Sequence, residues 1–157
     1  MKRTNRIFLI AKAGYFRDSL IALLNSLPNV DLYNPDIRIA EDLFEITSTC
    51  SDSTNDLVII DFDSLSGLKS AQIQNWLKDR IKAQFIGLVS NRAQLDLANN
   101  LEIKFVLERS ATAGELFRVI RNINSEGISA INRYPSKQVR SSLPTVYPIH
   151  HKLVATL

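Results

Sequence analysis

Residues 57–63, Leu57-Val58-Ile59-Ile60-Asp61-Phe62-Asp63, decide the fold. Four consecutive apolar positions, mostly β-branched and without polar alternation, are the pattern of a strand covered on both faces, as in a parallel sheet. The run stops at two aspartates, so an acidic cluster sits at the strand's C-terminal end. Before it, residues 47–55 are rich in Ser, Thr and Asp and read as a loop. After it, Ser64 to Gly67 turns the chain, and Ile73, Trp76, Leu77 and Ile81 recur at helical spacing.

The same alternation extends in both directions. Ile7 to Ala11 is a short apolar strand. A turn at Gly14 leads to a helix marked by Phe16, Leu20, Leu23, Leu24 and Leu27, which Pro28 ends. Val30 to Tyr33 reads as a second strand, and Ile39 to Thr47, with Leu43, Phe44 and Ile46, as a second helix. Phe85 to Val89 is a fourth strand ending at Ser90, and Leu95, Leu97 and Leu101 fit a fourth helix. Phe105 to Leu107 is a fifth strand. Ala113 to Ile123 is a strongly patterned fifth helix that closes near Gly127. Strict βα alternation forces parallel strands joined by right-handed crossovers. The expected fold is therefore α/β, a doubly wound (βα)5 five-stranded parallel sheet of flavodoxin type, over residues 1–124. Residues 125–157 form a C-terminal basic tail or linker. Sheets of this class bind ligands at the C-terminal strand ends, which here carry Lys12, Asp61, Ser90 and Glu108.

Composition narrows the function classes. A chain of 157 residues, 45% of them hydrophobic, buries roughly 70% of its unfolded surface in one core and needs no metal or disulfide to fold. Its mean hydropathy of −0.02 is that of ordinary globular proteins. Cys50 is the single cysteine, which excludes an intrachain disulfide and a cysteine zinc site and fits a reducing, cytoplasmic compartment. Lys12 cuts the first apolar run below the length of a signal-peptide core, and no run is long enough to span a bilayer. A net charge of +3 is too slight, over the whole chain, to argue for nucleic acid. No Ser/His/Asp set or Gly-rich phosphate loop is present. His150 and His151 are adjacent and diverge in direction on either a helix or a strand. The expectation is a protein that is not an enzyme and has no cofactor and no metal.

The ordered set of motifs resembles the response-regulator receiver domain, the CheY-like fold, over roughly residues 6–124. Residues 56–61 resemble the family's third strand with its phospho-acceptor aspartate at Asp61. Ser90 falls where the switch Ser or Thr ends the fourth strand, and residues 105–110 resemble the fifth strand with its terminal lysine. Tyr15-Phe16-Arg17 and the leucines that follow are most similar to receivers of helix-turn-helix response regulators.

Two departures shape the functional expectation. The resemblance implies an acidic pair after the first strand to hold Mg²⁺, and the corresponding residues are Ala11 and Lys12. It implies a lysine at the end of the fifth strand, and a strand-end alignment puts Glu108 there. On that alignment the charge order is inverted, and Lys12 is expected to bind Asp61 and Glu108 directly in place of a metal. The degenerate pocket is then Lys12, Asp61, Asp63, Ser90 and Glu108, and the chain a pseudo-receiver: a non-catalytic signal-transduction module acting through a regulatory protein partner.

The resemblance further implies a dimer or effector face on the fourth helix, fifth strand and fifth helix, with Arg109, Phe117, Arg118 and Arg121 as contacts. A more conservative expectation is that Phe117 packs in the core and the arginines form a solvated face. The tail offers Arg133, Lys137 and Arg140 as cations, and Tyr147 and Ile149 as apolar anchors for docking. Two alternatives stay open: a nucleic-acid-associated transcriptional regulator using the basic tail, and a genuine phospho-accepting response regulator at Asp61, with Asp63 and Glu108 as substitute ligands.

Overall fold

The computed structural model describes residues 6–26, 36–46, 56–80 and 82–129. Five strands, β1 (Arg6–Ile10), β2 (Asp36–Ala40), β3 (Asp56–Asp61), β4 (Gln84–Val89) and β5 (Phe105–Glu108), form one sheet in the order β2-β1-β3-β4-β5. Every pairing is parallel. Four α-helices accompany it among the described residues: α1 (Tyr15–Asn25), α2 (Ser70–Lys78), α3 (Arg92–Asn100) and α4 (Ala113–Ser129). No helix of the described residues is long and apolar enough to cross a membrane.

The uninterrupted apolar runs have the cause expected of them. Val58 and Ile60 point into a core built with Ile73 and Trp76 of α2 and Leu95 and Ala98 of α3. Leu57 and Ile59 point the other way, into a second core with Leu20 and Leu24 of α1 and Leu116, Ile120 and Ile123 of α4. Successive strand residues face opposite sides, so a sheet covered twice cannot tolerate polar alternation. At its opening end β3 is tied to β1 by an ion pair, with Arg6 giving Asp56 two hydrogen bonds of 2.8 and 2.7 Å.

Between β2 and β3 the structure corrects the expected layout. The strand lies at Asp36–Ala40, overlapping the stretch read as a helix, while the expected strand Val30 to Tyr33 lies outside the described residues. Ile37 and Ile39 alternate with Asp36 and Arg38, which is period two rather than 3.6. In place of a helix at Leu43 to Ile46 there is a single 3₁₀ turn over Leu43–Glu45. The Asp42 carboxylate caps it, accepting from the backbone N–H groups of Phe44 at 2.8 Å and Glu45 at 3.1 Å. As an N-cap, Asp42 is itself extended (φ −143°, ψ 171°), so no helix can run through it from Ile39. The last helix runs on to Ser129, past the Gly127 at which it was expected to close.

Candidate functional site

The C-terminal ends of β3, β4 and β5 converge on two aspartates. β3 finishes at Asp61, which is 3% exposed. Its Oδ1 accepts from the backbone N–H of Asp63 at 3.3 Å, starting a 3₁₀ turn over Phe62–Leu65. That turn is held down by a close approach: the Phe62 ring lies against Gly87 of β4, where an added Cβ would stand 2.9 Å from its Cε1. Asp63 is thereby placed at the mouth of the site.

β4 ends one residue before Ser90, and Asn91 caps α3 by accepting from the backbone N–H of Gln94 at 2.9 Å. Asn91, and not Ser90, is the cap. Ser90 instead donates its hydroxyl to Asp63 Oδ1 at 2.9 Å, and Gln94 donates its amide to the same oxygen at 2.7 Å. The other end of that amide accepts from the Ser90 backbone at 2.7 Å, which orients it.

β5 supplies the cation, and here the structure overturns the expected charge pattern. The backbone N–H of Arg109 bonds to the Val89 carbonyl at 2.7 Å, carrying the ladder one residue past Glu108. Neighbouring residues on an extended strand face opposite sides, so Glu108 and Arg109 cannot both look at Asp61. Arg109 does: its Nε and one terminal nitrogen donate to Asp61 Oδ1 and Oδ2 at 3.1 and 3.2 Å. The other terminal nitrogen lies 3.1 Å from Asp63 Oδ2. The guanidinium also stacks on Phe16 of α1, with its carbon 3.8 Å from the ring centroid. Arg109, expected on a partner-binding face, is thus part of the pocket.

Lys12 does not occupy the position assigned to it. Its side chain is exposed and acts on the site only through its charge, a minor influence on Asp63, while its backbone N–H is donated to Ser64 Oγ at 3.2 Å. The expected Lys12 pairing with Asp61 and Glu108 is replaced by the Arg109 contacts. Glu108 is buried and has its own partner, apart from the two aspartates. Among the other sequence candidates, Phe117 is half-buried against the α1/α4 core, and Arg118 and Arg121 are exposed. Arg133, Lys137, Arg140, Tyr147 and Ile149 lie outside the described residues, as do Cys50, His150 and His151.

The two carboxyls are driven apart electrostatically. Burial pushes Asp61 above its ordinary value, and the charge and hydrogen bonds of Arg109 oppose that rise without cancelling it. The hydrogen bond from Gln94, helped by Ser90 and Arg109, holds Asp63 below its ordinary value against a smaller burial effect. Both Asp61 oxygens and Asp63 Oδ1 already accept from protein donors, and Asp63 Oδ2 faces the Arg109 charge. The residues do not fit a Mg²⁺ site: Ala11 and Lys12 offer no carboxylate, and an arginine spans both aspartates where an ion would need their oxygens. Among the described residues, no group of three or more His, Cys, Asp or Glu side chains is placed to hold a metal.

Gln94 and Phe16 complete the site and were not legible as members of it. Phe16 falls in a helical apolar pattern that reads as core. Gln94 reads as the solvated side of α3, although its spacing of four from Ser90, one turn into a capped helix, is the signal that could have found it.

No family model and no curated protein matches the chain. Solved structures do. The signal receiver domain of an HD domain-containing protein from Pseudomonas fluorescens Pf-5 is 19% identical, with 85% of this chain and 96% of that one covered at a TM-score of 0.65. Full-length FixJ from B. japonicum is 18% identical over 83% of this chain and 62% of its own, at a TM-score of 0.61. A pilus assembly-related protein from Burkholderia pseudomallei is 11% identical over 80% of this chain and 93% of its own, at 0.62. At these identities the likeness is one of fold: the chain has the receiver fold.

Proposed function

We propose that this chain is a regulatory module of signal transduction, a pseudo-receiver that works by protein–protein interaction and not by Mg²⁺-dependent aspartyl phosphorylation or catalysis. One observation carries the reading: Arg109 holds Asp61 through two hydrogen bonds and Asp63 through an ion pair, engaging the carboxylate oxygens that metal and phosphoryl chemistry would use. The contact joins β3 to β5 and, through Ser90 and Gln94, to β4 and α3. Phe16 brings in α1. The arrangement is a lock that fixes the strand ends and the face of α3, β5 and α4 in one state. That face, with Phe117, Arg118 and Arg121, is where a regulatory partner or a second copy would dock.

The competing reading is a phospho-acceptor at Asp61, favoured by Asp61 and Ser90 standing at the ends of adjacent strands and by Arg109 supplying the cation that Glu108 was thought to have displaced. Against it stand the missing acidic pair at Ala11 and Lys12 and the Arg109 hydrogen bonds on both oxygens of Asp61. The test is an amide NMR titration of the intact chain with millimolar Mg²⁺ and beryllofluoride. The lock reading expects no saturable shifts at Asp61, Asp63, Ser90 or Arg109. Saturable, Mg²⁺-dependent shifts there would establish the acceptor reading.

A further inference from the structure

A cavity of about 200 Å³ opens beside the lock, between α1 and the connection from β5 to α4. Leu20, Leu88, Leu107 and Leu116 line it, all buried, and Phe16 and Arg109 form part of its wall. Folded interiors leave few voids larger than a water molecule. An apolar cavity of roughly 150 Å³ is enough to take up benzene, so this one has room for a single ring with a small substituent. Most of its lining is carbon, which suits an apolar ring.

The charged groups around it select further. Glu108 and Arg109 line the cavity, and Asp61 and Asp63 stand on the other side of Arg109. The charge of Arg109 is already met by the two aspartates, which disfavours an anion. Arg109 has five N–H groups, more than its two hydrogen bonds to Asp61 and its ion pair with Asp63 require, and the exposed Ser19 and Thr112 bring hydroxyls to the open side. The site therefore offers apolar contact plus hydrogen-bond donors. We propose that this cavity is a binding site for a small neutral molecule consisting of one apolar ring and a carbonyl acceptor.

Phe16 is both a wall of the cavity and the platform on which Arg109 stacks. A ligand packed against that ring holds it under the guanidinium, so occupancy strengthens the grip of Arg109 on Asp61. This coupling rests on the lock reading; the binding itself does not.

The test is a titration of the intact chain with acetophenone, with benzoate as the anionic control, followed through the methyl NMR signals of Leu20, Leu88, Leu107 and Leu116. Saturable shifts are expected with acetophenone, at least tenfold weaker with benzoate, and at least tenfold weaker in Ser19→Trp, which fills the space from the exposed side of α1. Leu23→Phe, from the same helix, serves if Ser19→Trp does not fold. No saturation by acetophenone, equal or tighter binding of benzoate, or undiminished affinity in the folded filling variant would overturn the site. If acetophenone binds but the side-chain Nε–H signal of Arg109 stays unchanged, the ligand is not coupled to the lock and that part of the proposal falls, while the lock itself is judged separately by the beryllofluoride titration.

Discussion

The guanidinium of Arg109 lies flat on Phe16, 3.8 Å from carbon to ring centroid, while its edge gives Asp61 two hydrogen bonds. One residue thus uses both its face and its edge, and the ring of a helix near the start of the chain sets the angle at which a residue near its end meets the aspartate. Lysine cannot substitute in this geometry, since it has neither a planar face nor a fork of donors. Arg109→Lys should keep the charge yet lose the stack and the paired bonds. A chemical denaturation midpoint between those of wild type and Arg109→Ala is expected, and a midpoint equal to wild type would show that charge alone matters.

The two sides of the ion pair should respond unequally to removal. Arg109→Ala strands two carboxylates, and the expected loss is about 2 kcal/mol, below the roughly 3 to 5 of a fully buried pair because 31% of the arginine side chain remains exposed. Asp61→Asn removes a charge whose burial is unfavourable and should cost little or stabilise the fold. Lys12→Ala should cost little, losing only the weak pull of its exposed charge on Asp63. A double-mutant cycle on Arg109 and Asp61 should show coupling, and a cycle on Lys12 and Asp61 should be additive.

Acidification separates the aspartates. Asp63 is held below 3.8, so its ionised form contributes stability that is present above that value and is lost as pH falls through the depressed one. Asp61 is raised above 3.8, so its contribution is present below that value and is lost as pH rises through the raised one. Asp61→Asn should therefore gain stability relative to wild type on going from acid to neutral pH, and Asp63→Asn should lose less than wild type on acidification. Urea unfolding across that range reads both, and parallel profiles for all three proteins would refute the assignment.

Gly87→Ala probes the turn that delivers Asp63. The new methyl would meet Phe62 at 2.9 Å inside a packed core, where overpacking typically costs about 1 to 3 kcal/mol. Phe62→Leu in the same chain should recover part of the loss. If Gly87→Ala is as stable as wild type, the ring is free to move and does not position the turn.

Where side-chain period and strand character were strong, the chain was legible: the run before Asp61 required a sheet covered on both faces, and Asp61, Asp63 and Ser90 were all found at its edge. The second βα unit failed because Asp36 to Ala40 is an edge strand that buries little, with Ile39 46% exposed, and the helical reading took over its end. The site failed at its cation. Counting from the last apolar residue of β5 ends the strand at Glu108, whereas the ladder hydrogen bond from Arg109 to Val89 extends it by one and exchanges which of the two neighbours faces Asp61. Linear order cannot show which of two adjacent side chains a strand end will present, and an arginine just beyond a strand reads as a solvated charge.

Phosphorylation of Asp61 bears most directly on the claim that the lock replaces metal-dependent chemistry. The measurement is the mass of the peptide containing Asp61 after the intact chain is treated with acetyl phosphate, with and without millimolar Mg²⁺. No added phosphoryl group in either condition is the predicted result. A Mg²⁺-dependent phosphoryl adduct on Asp61 would contradict it and make the chain a working receiver.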